Sequence, residues 1–194
     1  MKFISGLFFL LMISLLSLGQ ERPLSYDERG KLIHYEVVEQ IGVSKADLSA
    51  RADRFFKQRA KQIKLKSGSK DTVIQADGKI VINKTALVLN RPSGEVKYNF
   101  NVECRDGKYR FWLTDFVFIP YQRDRYGNFV AATTVGTPLE NEPGKLNAAE
   151  WKGYINNTGK EAGILAAQFK ESMANKQEIK PAGKSREIIS TKKW

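Results

Sequence analysis

The spacing of apolar residues predicts a strand followed by a helix near the start of the chain. Residues 31–41 alternate with a period of two, as a half-buried strand does. The apolar face of this strand would carry Ile33, Tyr35, Val37 and Ile41, and the polar face His34, Glu36 and Gln40. From Ser44, a predicted N-cap, the spacing becomes helical. The buried stripe of this helix would be Leu48, Ala52, Phe55, Phe56 and Ile63.

The next region predicts strands joined by tight turns. Asp77-Gly78 predicts a hairpin between strands 72–76 and 79–89, and residues 90–94 read as a break. The alternation over 96–104 and its continuation in 108–118 predict a second hairpin around Asp106-Gly107. A two-residue turn sets Arg105 opposite Lys108, and the pairs that follow on the core face are Cys104–Tyr109, Val102–Phe111, Phe100–Leu113 and Val96–Val117.

The same register assigns the remaining side chains of this hairpin. Glu103 meets Arg110 on the face away from the core, whereas Asp115 lies on the core face opposite Tyr98 and needs a hydrogen-bond partner there. Three aromatic residues share the face away from the core: Trp112, Phe116 and Phe118. Either the segment 119–147 covers these rings, or they form an exposed ligand platform.

The last third of the chain predicts an irregular segment, a helix and a tail. Residues 119–147 are punctuated by Pro and Gly. Asn147 and Glu150 predict the start of a second helix, with an apolar stripe of Trp151, Ile155, Ala162, Ala166, Phe169 and Met173. Residues 176–194 form a basic tail. The fold class predicted is α+β over residues 31–175: an antiparallel sheet of about five strands backed by two helices, in the order strand, helix, four strands, helix.

Residues 1–19 have the pattern of a secretory signal peptide. Lys2 precedes an apolar run over 7–16, and Ser17-Leu18-Gly19 fits a cleavage site near Gly19/Gln20. The run is shorter than the roughly 20 residues that a spanning helix needs, and no later segment is apolar enough to span a membrane. We therefore expect a periplasmic or extracellular protein, with residues 20–30 as a flexible lead-in after the signal.

Charge and cysteine content narrow the classes of partner. The chain has 32 Lys and Arg against 21 Asp and Glu, a net charge of +11. This excess favours anionic envelope components such as lipopolysaccharide or glycans, although it also serves solubility alone. The single cysteine, Cys104, excludes a fold held together by disulfide bonds. No cysteine lies at the end of the signal peptide, where lipid attachment would need one.

A basic cluster lies at the end of the first predicted helix. Its members are Lys57, Arg59, Lys61, Lys64, Lys66 and Lys70. Cations are favoured near a helix C-terminus, so a solvated face explains the cluster. The alternative is an anion-binding patch.

Several short motifs resemble a family of exported bacterial proteins. They are Gly42-Val43-Ser44-Lys45-Ala46-Asp47-Leu48, Gly78-Lys79-Ile80, the run from Val102 to Arg110, and Thr114-Asp115-Phe116. The family is domain of unknown function 4468, with a TATA-binding-protein-like fold, and the resemblance covers roughly residues 32–118. It implies an antiparallel sheet backed by helices. It implies no activity, and no functional residue carries over from it.

No catalytic, cofactor or metal-binding constellation is visible in the sequence. His34 is the only histidine and is expected on the surface, and Cys104 is expected as a small core residue. We therefore predict an exported, non-enzymatic binding or structural module of the bacterial envelope, whose partner is an anionic component or another envelope protein. The alternatives are an envelope hydrolase, and binding of nucleic acid or another polyanion through the open sheet face and the basic cluster. Export disfavours nucleic acid.

Overall fold

A computed structural model describes residues 24–66, 73–86, 89–141 and 147–175, with the side chains of 84–86, 89 and 90 excepted. The predicted signal, the basic tail and Lys70 lie outside the described residues. The described strands are β1 Ser25–Tyr26, β2 Leu32–Glu39, β3 Ile63–Leu65, β4 Val73–Ala86, β5 Leu89–Arg105, β6 Lys108–Arg123, β7 Phe129–Ala131 and β8 Thr137–Pro138. The described helices are α1 Lys45–Gln58 and α2 Ala148–Ala174.

The strands form an antiparallel sheet in the order β1-β2-β6-β5-β4-β3, and β7 and β8 pair with β6. Both helices pack on one side of this sheet, which we call the helix face. The opposite side is the outer face. This arrangement confirms the predicted α+β class, in which an antiparallel sheet is backed by two helices. The prediction of about five strands is wrong, because the described sheet has eight, and six of them, not four, lie between the helices. Part of the expected lead-in is β1, which pairs with β2.

Aromatic rings join the two helices to the helix face. Phe169 of α2 lies 5.1 Å from Phe55 of α1, 5.2 Å from Phe100 of β5 and 5.0 Å from Phe111 of β6, measured between ring centroids. These four rings are at most 2 % exposed, and Phe169 meets each of the other three edge to face. Such pairs add about 0.5–1.5 kcal/mol each beyond the burial of their area, so this cluster anchors both helices.

The predicted start of α1 is confirmed. Ser44 has extended backbone angles, and its hydroxyl accepts a hydrogen bond of 3.1 Å from the backbone N–H of Asp47. The helix ends at Gln58, so Ile63 belongs to β3 and not to the helical stripe, although it is buried as expected. Asn147 precedes α2 but makes no side-chain cap, contrary to prediction.

The predicted faces of β2 are inverted. Leu32 and His34 are buried against the helices, whereas Tyr35, Val37 and Ile41 are 49 %, 55 % and 91 % exposed. Apolar and polar residues occur on both faces of this strand, so alternation alone does not choose between them. The choice comes from pairing, because β2 lies beside β6 with Tyr35 opposite Trp112 on the outer face.

The predicted hairpin at Asp77-Gly78 is one continuous strand, β4. Gly78 is required for close packing, because a Cβ atom there would lie 2.3 Å from the hydroxyl oxygen of Tyr98. Tyr98 lies opposite Gly78 on β5 and fills the space that the missing side chain leaves. The expected break at 90–94 lies within β5, whose pairing with β4 shifts by one residue between Ile82 and Asn83.

The expected irregular segment 119–147 begins as a strand. β6 continues to Arg123 and pairs with β7, while β8 pairs with Val117 and Phe118. Gly136 lies against the side chains of Val117 and Ile119 on the outer face, and Leu139 is 1 % exposed in the core. The part of this segment that the structure describes therefore covers one end of the outer face.

A β-bulge at Asp115 decides where the aromatic residues of β6 point. The turn at Asp106-Gly107 and the pairs as far as Phe100–Leu113 are as predicted, but Val96 pairs with Phe118 and not with Val117. One residue of β5, Tyr98, therefore spans Asp115 and Phe116, and Asp115 has a left-handed φ of 57°. Asp115 is consequently on the outer face, contrary to prediction, and Phe116 and Phe118 are on the helix face.

We predict that Asp115→Ala lowers the free energy of unfolding by roughly 1–3 kcal/mol, because alanine tolerates this backbone conformation poorly and removes a hydrogen-bonded carboxylate. Asp115→Asn should cost less, since asparagine is tolerated at positive φ. Urea unfolding monitored by fluorescence measures both changes. Wild-type stability in Asp115→Ala would show that the bulge is not constrained by this residue.

Candidate ligand-binding face

The outer face contains two adjoining depressions near the β5–β6 turn. Val37, Arg110 and Glu103 lie side by side on β2, β6 and β5, and Tyr35 and Trp112 form the neighbouring pair. The smaller depression, about 190 Å³, is lined by Tyr35, Val37, Glu103, Arg105, Lys108, Tyr109 and Arg110, and we call it the Arg110 cleft. The larger, about 690 Å³, lies between Trp112 and the β1–β2 turn, and we call it the Trp112 groove. Tyr35 and Arg110 belong to both.

Glu103 orients the cations of the Arg110 cleft. Its buried carboxylate accepts a hydrogen bond of 2.7 Å from Nε of Arg110 and one of 3.0 Å from Nη2 of Arg105. The hydrogen bond from Arg110 is the main cause that lowers the pKa of Glu103, so this carboxylate is ionised at neutral pH. The predicted pairing of Glu103 with Arg110 is thus confirmed. Two guanidinium groups share one carboxylate, which leaves positive charge on the surface.

The guanidinium group of Arg110 also covers Trp112. Its Cζ atom lies 5.5 Å from the centroid of the indole ring, within the range of a cation–π contact. Trp112 is half-buried, whereas Tyr35 beside it is 49 % exposed. Tyr35 is therefore the more accessible aromatic surface, although sequence reasoning placed it in the core.

The Trp112 groove is bounded by the β1–β2 turn, which is closed by hydrogen bonds to Asp27. Oδ1 of Asp27 accepts hydrogen bonds of 2.9 Å from the backbone N–H groups of Arg29 and Lys31. Its other oxygen pairs with the guanidinium group of Arg29 at 2.7 Å. Gly30 supplies the positive φ of 71° that closes the turn. Tyr26 projects from this side and is 65 % exposed.

A chain of polar contacts crosses the outer face beyond the groove. Asp115 pairs with Lys31, and its second oxygen accepts a hydrogen bond of 2.8 Å from the amide of Asn99. Lys66 donates to Asn99 at 3.0 Å and pairs with Asp77 at 2.8 Å. Burial alone would raise the pKa of Asp115, but the hydrogen bonds from Lys31 and Asn99 outweigh it, and the pKa is lowered. The carboxylate of Asp115 therefore has the hydrogen-bond partners that we expected it to need, but they are Lys31 and Asn99 and not Tyr98.

The predicted basic cluster is partly neutralised. Lys57 pairs with Asp53 at 2.9 Å, one helical turn earlier, and Lys66 pairs with Asp77 of β4. Arg59 lies over the ring of Phe55, with 4.9 Å between its Cζ atom and the ring centroid. Lys61 and Lys64 are exposed. Asp53 lies at helical spacing from Lys57 and could have been found in the sequence, whereas Asp77 comes close only through the sheet. Anion binding by this cluster stays a prediction.

The predicted platform of Trp112, Phe116 and Phe118 is wrong. Phe116 is fully buried and Phe118 is 7 % exposed, because the bulge turns both toward the helices. Phe118 stacks on Tyr154 of α2 with 4.4 Å between ring centroids. Only Trp112 of the three lies on the outer face. The exposed aromatic partner beside it is Tyr35.

His34 is buried, contrary to the prediction of a surface histidine. Its Nε2 atom lies 3.0 Å from Oε1 of Glu36, and Lys170 of α2 donates to Oε2 of the same carboxylate at 2.7 Å. Burial raises the pKa of Glu36, but the hydrogen bonds from Lys170 and His34 outweigh it, and the pKa lies below 4.5. The ion pair between Lys170 and Glu36 fixes α2 to β2.

Cys104 is buried, as expected, and burial raises the pKa of its thiol.

Two further observations concern cofactors and membranes. Within residues 24–66, 73–86, 89–141 and 147–175, no three His, Cys, Asp or Glu side chains are grouped so that they could hold a metal ion. Neither α1 nor α2 is both long enough and apolar enough to cross a membrane, and no other helix occurs in the described ranges.

Comparison with known proteins identifies the fold family. The family model described as "Domain of unknown function (DUF4468) with TBP-like fold" matches residues 34–119. This segment of the chain is similar to the DUF4468 family. It contains β2 from His34, α1, β3, β4, β5 and β6 as far as Ile119. All lining residues of the Arg110 cleft lie within it, together with Tyr35, Arg110 and Trp112 of the Trp112 groove. The resemblance seen in the sequence is confirmed.

Two solved structures share the fold of the DUF4468 segment and its flanking elements. A TBP-like protein from Parabacteroides distasonis is 17 % identical, with a TM-score of 0.57, and the match covers 77 % of this chain and 96 % of that protein. A DUF4468 family protein from Bacteroides ovatus is 14 % identical, with a TM-score of 0.57, and the match covers 78 % and 91 % of the two chains. At this identity the similarity shows the fold alone. No curated protein matches the chain.

We predict that Glu36→Gln destabilises the protein at neutral pH, because Lys170 loses its charged partner. A lowered pKa means that Glu36 contributes stability above its ordinary value of 4.5 and loses it as the pH falls through the lowered value. The difference between wild type and Glu36→Gln should therefore shrink on acidification.

Urea unfolding at a series of pH values from about 7 to 3 measures this difference. Glu171→Gln, at an exposed position on the same helix, is the matched control and should follow wild type throughout. A difference for Glu36→Gln that is independent of pH would contradict the assignment.

Proposed function

We propose that this protein is an exported, non-enzymatic binding module of the bacterial envelope that holds an anionic polymer on the outer face of its sheet. The observation that supports this most directly is the Arg110 cleft. There Arg105, Lys108 and Arg110 surround a single buried carboxylate, Glu103, on the face that the helices leave uncovered. Polymers with repeated negative charge complement such a surface.

The net charge of the chain supports the same class of partner. At +11, the protein attracts polyanions over a distance of about 10 Å at moderate salt, and the local excess of cations then selects the face. Exposed Arg105 and Lys108 lie at the rim, where charges mainly affect the rate and salt dependence of binding. We therefore expect binding that weakens steeply as salt is added.

The carboxylates of the outer face support a binding role more than a hydrolytic one. A general acid needs a carboxyl group whose pKa is raised toward neutrality. Burial would raise the pKa of Glu95, but hydrogen bonds from Lys79 and Tyr121 outweigh it and lower the pKa. Glu103 and Asp115 likewise have lowered pKa values beside cations. Each of these three groups is thus held as an ionised partner of a basic side chain.

Nucleic acid is the second candidate among polyanions. Single strands bind sheets by stacking bases on exposed aromatic rings and by pairing cations with phosphates. The outer face offers the cations, but Arg110 already covers Trp112, and Tyr35 and Tyr26 are left as exposed rings. Two exposed rings support stacking of fewer bases than the three-ring platform expected from the sequence. The geometry therefore favours a polymer that is recognised mainly through its anionic groups.

We predict that expression in a bacterial host yields a product that lacks residues 1–19 and is recovered outside the cytoplasm. The pattern of Lys2, the apolar run and Ser17-Leu18-Gly19 is the basis of this expectation. Intact-mass spectrometry of the periplasmic and cytoplasmic fractions tests it. An uncleaved chain confined to the cytoplasm would contradict export.

We predict that the double variant Arg105→Glu, Lys108→Glu elutes from immobilised heparin at clearly lower salt than wild type, because each reversal replaces a cation at the rim of the cleft with a repelling charge. The matched control is Lys152→Glu, Lys160→Glu, which changes the net charge equally at exposed positions on α2. This control should elute close to wild type.

A third variant separates the outer face from the basic cluster. Lys61→Glu, Lys64→Glu reverses the two exposed lysines of that cluster with the same change in net charge. Equal shifts in all three variants would mean that only total charge matters, and a dominant effect of Lys61 and Lys64 would move the site away from the Arg110 cleft. Either result would overturn the proposed binding face.

A further inference from the structure

The Arg110 cleft has the size of a subsite for one small ring. Its volume of about 190 Å³ is below the roughly 300–1,000 Å³ of pockets that enclose a drug-sized ligand. The adjoining Trp112 groove, of about 690 Å³, shares Tyr35 and Arg110 with the cleft. A polymer could therefore place one unit in the cleft and its neighbours along the groove.

The cleft carries an excess of positive charge. Three cations, Arg105, Lys108 and Arg110, line it together with a single carboxylate, Glu103. Glu39 lies opposite Lys108 across the β2–β6 pair but is not among the lining residues. Lys108 forms no ion pair with another described residue. A ligand carboxylate brings one charge, whereas a phosphomonoester brings about 1.5–2 and would meet Glu103 with greater repulsion.

The donors that remain free suit a planar anion. Of the five N–H groups of Arg110, Glu103 accepts one from Nε and one from Nη2, and the hydroxyl of Tyr35 accepts another. Two N–H groups are left to donate to a ligand. Contact with Trp112 holds the guanidinium plane in place. A fixed guanidinium group with a lysine nearby is an effective receptor for a carboxylate.

The wall of the cleft is apolar and aromatic. Tyr35 is 49 % exposed and Val37 is 55 % exposed, and they are next to each other on the same face of β2. An aromatic ring beside a charged subsite suits a ligand that is apolar on one side and polar at its edge. A pyranose ring with a carboxylate at its edge has this character.

We infer that the Arg110 cleft binds the carboxylate-bearing ring of an acidic polysaccharide, with the carboxylate on Arg110 and Lys108 and the ring face against Tyr35. This inference rests on the proposed function and specifies the class of polymer. A single strand of nucleic acid carries its charges on phosphates and is an outcome of the test below.

The probe is a trisaccharide of galacturonic acid, measured by isothermal titration calorimetry at low salt. Its matched control is the same trisaccharide with the carboxylates reduced to alcohols. We expect the acidic form to bind and the reduced form to bind at least 10-fold more weakly. Comparable binding of both forms, or no binding of the acidic form, would overturn the inference.

Three variants assign the contacts, with circular dichroism to confirm that each is folded. Tyr35→Ala and Arg110→Lys should each weaken binding at least 10-fold, the second because lysine keeps the charge but lacks the planar fork. Lys108→Gln should weaken it about 3-fold to 10-fold, in the range of one typical hydrogen bond. Tyr126→Ala, at an exposed ring on the β6–β7 turn, should have no effect.

The outcomes separate this inference from the proposed function. If the trisaccharide binds no better than its reduced form while heparin retention still depends on Arg105 and Lys108, only the uronate assignment fails. If an oligothymidylate of matched charge binds more tightly than the trisaccharide and Tyr35→Ala abolishes that binding, the ligand is nucleic acid and the uronate assignment again fails. Loss of the heparin dependence itself would overturn the proposed function.

Discussion

The bulge at Asp115 determines what each face of the sheet presents. Before it, Tyr109, Phe111 and Leu113 of β6 point toward the helices, and after it Phe116 and Phe118 do so. The left-handed backbone at Asp115 costs about 1–3 kcal/mol. Burial of two phenylalanines at about 1.5–3 kcal/mol each, together with the hydrogen bonds of the carboxylate, offsets this cost. One extra residue in β6 thus completes the core beneath α2 and removes two aromatic rings from the outer face.

The two faces of the sheet are therefore stabilised by different interactions. On the helix face, phenylalanine rings from both helices and two central strands pack edge to face. On the outer face, buried carboxylates such as Glu95 and Glu103 are each held by basic side chains. Because Glu103 has two arginine partners, the pairing leaves cations available at the surface, and these are the groups that the proposed function uses.

Structural features that depend only on residues close in sequence could be predicted. The cap at Ser44 and the turn at Asp106-Gly107 are decided by hydrogen bonds and backbone angles within a few residues. Asp77-Gly78 has the same local pattern as that turn but lies inside β4, because Tyr98 on the neighbouring strand needs the space at Gly78. The position of Tyr35 could not be predicted for a similar reason, since the face that β2 buries is chosen by its pairing with β6.

The sequence by itself determined the fold class, the paired strands around Asp106-Gly107, the apolar stripes of both helices and the excess of positive charge. All of these follow from periodicity, turn chemistry and composition, which are properties of short segments or of the whole chain. Tertiary structure alone decided which side chains meet on the outer face. One inserted residue at Asp115 moves the side chain of every later residue of β6 to the opposite side of the sheet. The Arg110 cleft therefore exists only once β2, β5 and β6 are paired.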